Sequence, residues 1–310
     1  MRFFESVNID FIGNRYKFFA ISGLLLLLTV GAFIYRGGLN YGIDFTGGIL
    51  MRISFQNEVE LQDVRTAVEV GGINSFELQS SGNLIMIRAK KDLESQEEFE
   101  SLVKNSIQLR FPDNPVKIEG IEYVYPTVSE YLSKQTVYAF LFAFLAMIVY
   151  VAFRFKSGLW GIVSVMGIIH DIVISLGFVI LANKEINITA VAALLTVAGY
   201  SINDTIVLFD RTKENLKLLA KEDFVEVINN SINEVLVRTI VTSLTVFIVA
   251  CSLFFFGGEV MHTFAYIMII GTVLGVFSTI FVCAPLVCEW RIRRSKRLET
   301  VVKHGDVRSK

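Results

Sequence analysis

Charge, cysteine and histidine are all scarce in this 310-residue sequence. Charged residues make up 19% of it against 53% hydrophobic residues, and the mean hydropathy is positive. So little charge argues against one soluble domain and for a chain that crosses a membrane several times. The formal net charge of −1 leaves no basic excess for nucleic acid, and none is expected as a partner. The three cysteines, Cys251, Cys283 and Cys288, all lie in apolar runs, and the soluble middle of the chain has none. They offer neither a disulfide framework nor a metal-ligand spacing, and are expected to pack as small apolar side chains. No second His or Cys arrives at ligand spacing, so no metal site is expected. No Walker-type lysine is present, and the glycines of GIDFTGG (42–48) precede a strand. Nucleotide hydrolysis is therefore disfavoured, and neither a cofactor nor an enzymatic activity is expected. Low-complexity segments and short-period repeats are missing from the sequence as well.

Long apolar runs are what the sequence has in quantity. Six of them, near 18–35, 136–153, 159–182, 188–209, 239–256 and 263–286, approach the roughly 20 residues a helix needs to cross the hydrocarbon. The first sits where a secretory signal would, but its run is long and no small-residue cleavage site follows, so it reads as an uncleaved anchor. Lys and Arg gather in segments 1–17, 154–158, 210–238 and 289–310, whereas loops 183–187 and 257–262 hold only Lys184. By the positive-inside rule both termini are cytoplasmic and residues 36–135 lie outside. Trp160 and Trp290 are expected as interfacial anchors, and the tail 287–310 as basic and cytoplasmic.

Residues 36–135 read as a compact domain. ILMRISF (49–55) alternates, EVELQDVRTAVEV (58–70) has helical period after Asn57, and Glu60 is placed for a capping box. SFELQS (75–80) and NLIMIRA (83–89) flank a Ser-Gly turn as a hairpin. Ser95 with Glu98 opens a second helix to about Leu109, and VKIEGIEYV (116–124) is a last strand, with Pro112, Pro115 and Pro126 near its ends. The order βαββαβ predicts a ferredoxin-like sandwich. On the cytoplasmic side EDFVEVINNSINEVLVR (222–238) places Phe224, Ile228, Ile232 and Val235 on one face, as an amphipathic surface helix does.

Polar residues recur inside the runs at helical spacing. The third span carries Ser164, Gly167, Asp171 and Ser175 on one face, with His170 beside Asp171. The fourth carries Thr196, Tyr200 and Asn203–Asp204, with Gly199 on the same side and Ser201 next to Tyr200. The fifth begins at Arg238 and continues with Thr242 and Thr245; the sixth has Gly271 and Gly275 at small-xxx-small spacing. These stripes predict one shared interior. An ionised carboxylate at mid-bilayer costs about 2.5–3.5 kcal/mol on insertion scales, so each acid needs a reason. Asp204 lies about a turn from the cytoplasmic end of its span, level with Arg238, so the two are expected to pair. Asp171 sits nearer the midplane and is expected to bond to a neighbouring span. Asp210–Arg211 reads as a solvated helix end.

Three motifs then carry a resemblance. YGIDFTGG (41–48) after the first span, HD at 170–171, and GYSINDTIVLFDR (199–211) resemble the SecF proteins of the SecD/SecF family, membrane subunits of the bacterial Sec export machinery. The match runs over nearly the whole chain and marks Asp44, Thr46, Gly47 and Gly48 as a structural motif. It implies half of a resistance-nodulation-division type fold, with SecD as the other half and this chain as a separate subunit. It also implies work beside the SecYEG channel and the SecA motor, with proton motive force helping polypeptides to complete export across the bilayer. The family's proton-coupling residues fall on Asp204 and Arg238, supported by Asn203, Asp171, His170, Tyr200 and Ser201. The rival readings are a proton-coupled lipid or small-molecule transporter half, for which one compact sandwich is a small external region, and a proton-inert scaffold.

Overall fold

A computed structural model of the chain describes residues 9–73, 76–81, 84–89, 96–155, 158–219 and 222–294. Gly82 of the expected hairpin turn, Ser95 of the expected helix start and the tail beyond 294 lie outside them. The described residues fall into two compact units, one formed by Tyr41–Tyr138 and the other by the chain on either side of it.

The smaller unit is a four-stranded antiparallel sheet backed by two helices. Strands β1 (Gly48–Phe55), β2 (Phe76–Ser81), β3 (Leu84–Ala89) and β4 (Val116–Val124) pair in the order β2-β3-β1-β4. Helices α3 (Leu61–Val70) and α4 (Gln96–Arg110) complete the βαββαβ order. Alternation in β1 and β3 sends Ile49, Met51, Ile53, Ile85 and Ile87 to one face, where Val64, Val68, Phe99, Val103 and Ile107 cover them. This is the ferredoxin-like sandwich that the sequence predicts. Its helix start differs, because α3 begins at Leu61 with Glu60 as an unbonded cap. Asn57 is engaged elsewhere: its N–H donates to Asn114 Oδ1 at 3.1 Å and its carbonyl accepts from Asn114 Nδ2 at 3.1 Å. That pairing ties the β1–α3 turn to the α4–β4 turn, ahead of the helix that starts at Leu61.

The glycine motif closes this unit. One helical turn, α2 (Ile43–Thr46), ends where the Thr46 hydroxyl bonds to the Gly42 and Gly47 carbonyls. Gly47 then takes φ +69°, and a Cβ there would stand 3.3 Å from Pro126 Cα and 3.4 Å from the Val124 carbonyl. Only glycine meets both the left-handed backbone and the close approach of the segment that leaves β4.

The larger unit is helical. Helices α1 (Arg15–Arg36), α5 (Pro126–Phe155), α6 (Gly158–Leu181), α7 (Ile188–Leu218), α8 (Phe224–Phe256) and a last helix over Met261–Arg294 are each long and apolar enough to span a membrane. All six expected spans are found. The last begins as α9 (Gly258–Ser278), passes through a π-helical turn at Thr279–Cys283, and continues to 294. Bare backbone lets α9 meet α7: a Cβ on Gly271 would fall 2.2 Å from Val197 Cγ2, and one on Gly275 3.4 Å from Ser201 Cα. Gly167 likewise leaves room for Cys283 Sγ, which a Cβ would meet at 2.4 Å.

Two local expectations change. Residues 224–238 are not a separate surface helix; they are the first half of α8, which runs unbroken to Phe256. Their apolar face is real, but Ile228, Ile232 and Val235 are buried within the protein. Trp160 is no interfacial anchor either. It is buried, stacked on Phe155 and edge-on to Phe209 at 4.7 Å.

Candidate functional site: two intramembrane acids with different surroundings

The polar stripes do not converge on one interior. The α6 stripe faces inward: Ser164, Gly167, Asp171 and Ser175 are all buried. On α7, by contrast, Ala192, Thr196, Gly199 and Asn203 recur at helical spacing and are exposed. On α8, Arg238, Thr242 and Thr245 are exposed as well. Sequence periodicity groups residues by face and carries no information on which face is covered, so the expectation of one shared interior is corrected here.

Asp171 is the better satisfied acid. Its Oδ1 stands 2.9 Å from His170 Nδ1, and its Oδ2 accepts from Ser201 of α7 at 2.6 Å and Ser278 of α9 at 2.7 Å. His170 Nε2 lies 2.7 Å from Ser22 Oγ of α1. Three helices therefore meet at one carboxyl group with no exposure, and α1 joins them through His170. A further layer joins Thr205 of α7 to Thr279 in the π-helical turn at 2.9 Å. The sequence signal for Ser22, Ser201 and Ser278 is weak, since single serines in apolar runs are common. Only the fold brings them together.

Asp204 is held loosely. It is 2% exposed, and its one hydrogen-bond partner among the described residues is Ser243 of α8, whose hydroxyl lies 3.4 Å from Oδ2. That is long for an O–H···O bond, which prefers about 2.7–2.8 Å. The Ser243 oxygen accepts in turn from Tyr200 OH at 2.8 Å, a short relay between α7 and α8. The expected Asp204–Arg238 pair is not among the ion pairs of the described residues. Arg238 starts no helix; it lies midway along α8 with its side chain on the exposed face. Asn203 points the same way as Thr196 and Gly199, away from Asp204's partner.

A cleft of about 500 Å³ opens between α7 and α8. It is lined by Asp210, Arg211, Glu214, Glu234 and Arg238 among others. Asp210–Arg211 is not a helix end, because α7 runs on to Leu218. Arg211 binds Glu234 and Glu214, and Asp210 pairs with Arg154 of α5. Among the described residues no group of His, Cys, Asp and Glu is arranged to hold a metal ion.

Comparison with known proteins settles the kinship. The model of the C-terminal region of the protein export membrane proteins SecD and SecF matches residues 104–293, and that of the SecD/SecF GG motif matches residues 33–59. The chain belongs to the SecD/SecF family. A protein translocase subunit SecF of Endomicrobium trichonymphae is 88% identical over all of both chains, and one of Thermodesulfovibrio yellowstonii is 40% identical over 90% of this chain and 94% of its own. Within the family the fold is also known. The crystal structure of the translocon-associated membrane protein SecDF of Thermus thermophilus superposes with a TM-score of 0.83 at 33% identity. SecDF in a super-membrane-facing form gives 0.71 at 31%. The match covers 92% of this chain and 39% of the first solved chain, so this chain spans well under half of that protein.

Proposed function

We propose that this chain is a non-enzymatic auxiliary subunit of the Sec translocase, which pairs with SecD and uses proton motive force to help polypeptides complete export. The observation that carries it is the exposed polar face on the membrane helices. Thr196, Gly199 and Asn203 of α7 and Arg238, Thr242 and Thr245 of α8 are exposed among the described residues. The threonine hydroxyls bond to carbonyls of their own helices, but lipid would leave Asn203 and Arg238 unsatisfied, so a partner bundle covers this face. The 39% share of the solved SecDF chain leaves room for that second half. Asp204, buried yet weakly bonded beside this face, is the acid whose protonation can change its partner; Arg238 is the cation of the same pathway. Both termini and the cleft with Arg211 then face the cytoplasm, the α+β unit faces outward beside the emerging chain, and SecYEG with SecA drives the bulk of transport.

Two measurements test this reading. Inverted vesicles lacking the chain should keep ATP-driven export but lose the increment that an imposed proton motive force adds; an undiminished increment overturns the proposal. A reporter inserted at the Ser81–Gly82 turn should be active outside only, and one fused after Lys310 in the cytoplasm only. A cytoplasmic signal from the turn contradicts the orientation.

A further inference from the structure

The buried node on α6 shares no hydrogen bond with Asp204, and its chemistry sets a constraint of its own. Asp171 is fully buried near the middle of its helix, and among the described residues its only basic partner is His170. Around it, α1 contributes Ser22, α7 Ser201 and Thr205, α9 Ser278, and the π-helical turn Thr279 and the buried thiol of Cys283, which points to the Val163 carbonyl at 3.7 Å. Asp204, the nearest acid along α7, turns to Ser243 of α8 instead. The Phe277 ring lies roughly parallel to the imidazole, with centroids 6.4 Å apart.

An aspartate ion beside a neutral histidine would leave one uncompensated charge in this interior, at a cost of several kcal/mol. One additional proton removes the charge, and the geometry has two places for it. On the imidazole, it gives an imidazolium–carboxylate pair in which Nδ1–H donates to Asp171 Oδ1. On Oδ1, it gives a neutral acid that donates to Nδ1. In both, Nε2–H donates to the Ser22 oxygen, and Ser201 and Ser278 donate to Oδ2. No heavy atom has to move between them, and every hydrogen bond stays made.

We infer that His170 and Asp171 together retain one proton and form a fixed, neutral lock joining α1, α6, α7 and α9. Helix α8 is outside this lock. Ser201 is pinned three residues before Asp204 on α7, so rearrangement at Asp204 displaces α8 against a fixed α7. The retained proton rests on the membrane-spanning reading of the bundle, and it stands whether or not Asp204 couples to export.

Nitrogen-15 NMR of the chain, labelled at histidine and reconstituted with SecD in lipid bilayers, tests this without an export assay. The chain has three histidines, His170, His262 and His304. The His170 signal is the one lost in His170→Gln and shifted in Ser22→Ala. It should keep a proton-bearing Nε2 from about pH 5 to about pH 9, a window that brackets the ordinary imidazole midpoint of about 6.5. A wild-type Nε2 that loses its proton inside the window overturns the lock.

Discussion

Leucine at Gly199 should cut recovery of the SecD complex at least tenfold while leaving the chain's own fold intact. A Cβ at Gly199 meets nothing within 4 Å inside this chain. The residue stands on the exposed stripe with Thr196 and Asn203, where a small side chain lets a second helix approach closely. Forcing a larger side chain into a packed interface costs about 1–3 kcal/mol, and about 1.4 kcal/mol is a factor of ten in affinity. Gly271→Leu gives the contrast. Its Cβ would fall 2.2 Å from Val197 Cγ2, so it should separate α9 from α7 and lower the melting temperature of the chain itself. Affinity capture on SecD and thermal unfolding in detergent distinguish the two. Wild-type recovery of SecD with Gly199→Leu means that this face is not where the partner sits.

Arg238→Met should assemble with SecD and yet lose proton-dependent stimulation. Methionine keeps much of the apolar stem and removes the charge. In the present arrangement Asp204 bonds to Ser243 and Arg238 stands beside the charged cleft, so the two are apart. A switch needs two states, and the loosely held carboxylate can leave Ser243 for a cation or for a proton. One proton crossing a membrane potential releases about 2.3 kcal/mol per 100 mV, which shifts a two-state balance roughly fiftyfold. If both residues belong to that step, Arg238→Met combined with Asp204→Asn should be no worse than either alone, whereas independent roles would add. Additive losses in the export increment would separate Arg238 from Asp204's step.

Much of the architecture was legible because it follows from periodicity and length. Six apolar runs gave six helices, and period-two and helical patterns in 48–124 gave the sandwich, down to the bounds of β4 at Val116–Val124. Helix continuity was less legible. Phe224–Arg238 has the amphipathic pattern of a surface helix, but nothing in the residues at 238–239 breaks it, so α8 runs through. Site geometry was the least legible part. A stripe of small and polar residues looks the same whether it faces a neighbouring helix of the same chain or a partner's. Spacing therefore groups Thr196, Asn203 and Arg238 with Asp171, although the fold turns them outward and gives Asp171 to His170, Ser201 and Ser278. The physical reason for the glycine motif lies in the approach of Pro126 and Val124 to Gly47, which no local pattern contains.

The most direct measurement is the export rate of inverted vesicles carrying Asp204→Asn with SecD, with and without an imposed proton motive force. Asparagine keeps an amide that can bond to Ser243 but carries no titrating proton, so the complex should form at wild-type yield. ATP-driven export should run at the rate of vesicles lacking the chain, with no increment from proton motive force. A full wild-type increment in Asp204→Asn would contradict it and leave the chain a scaffold for its partners.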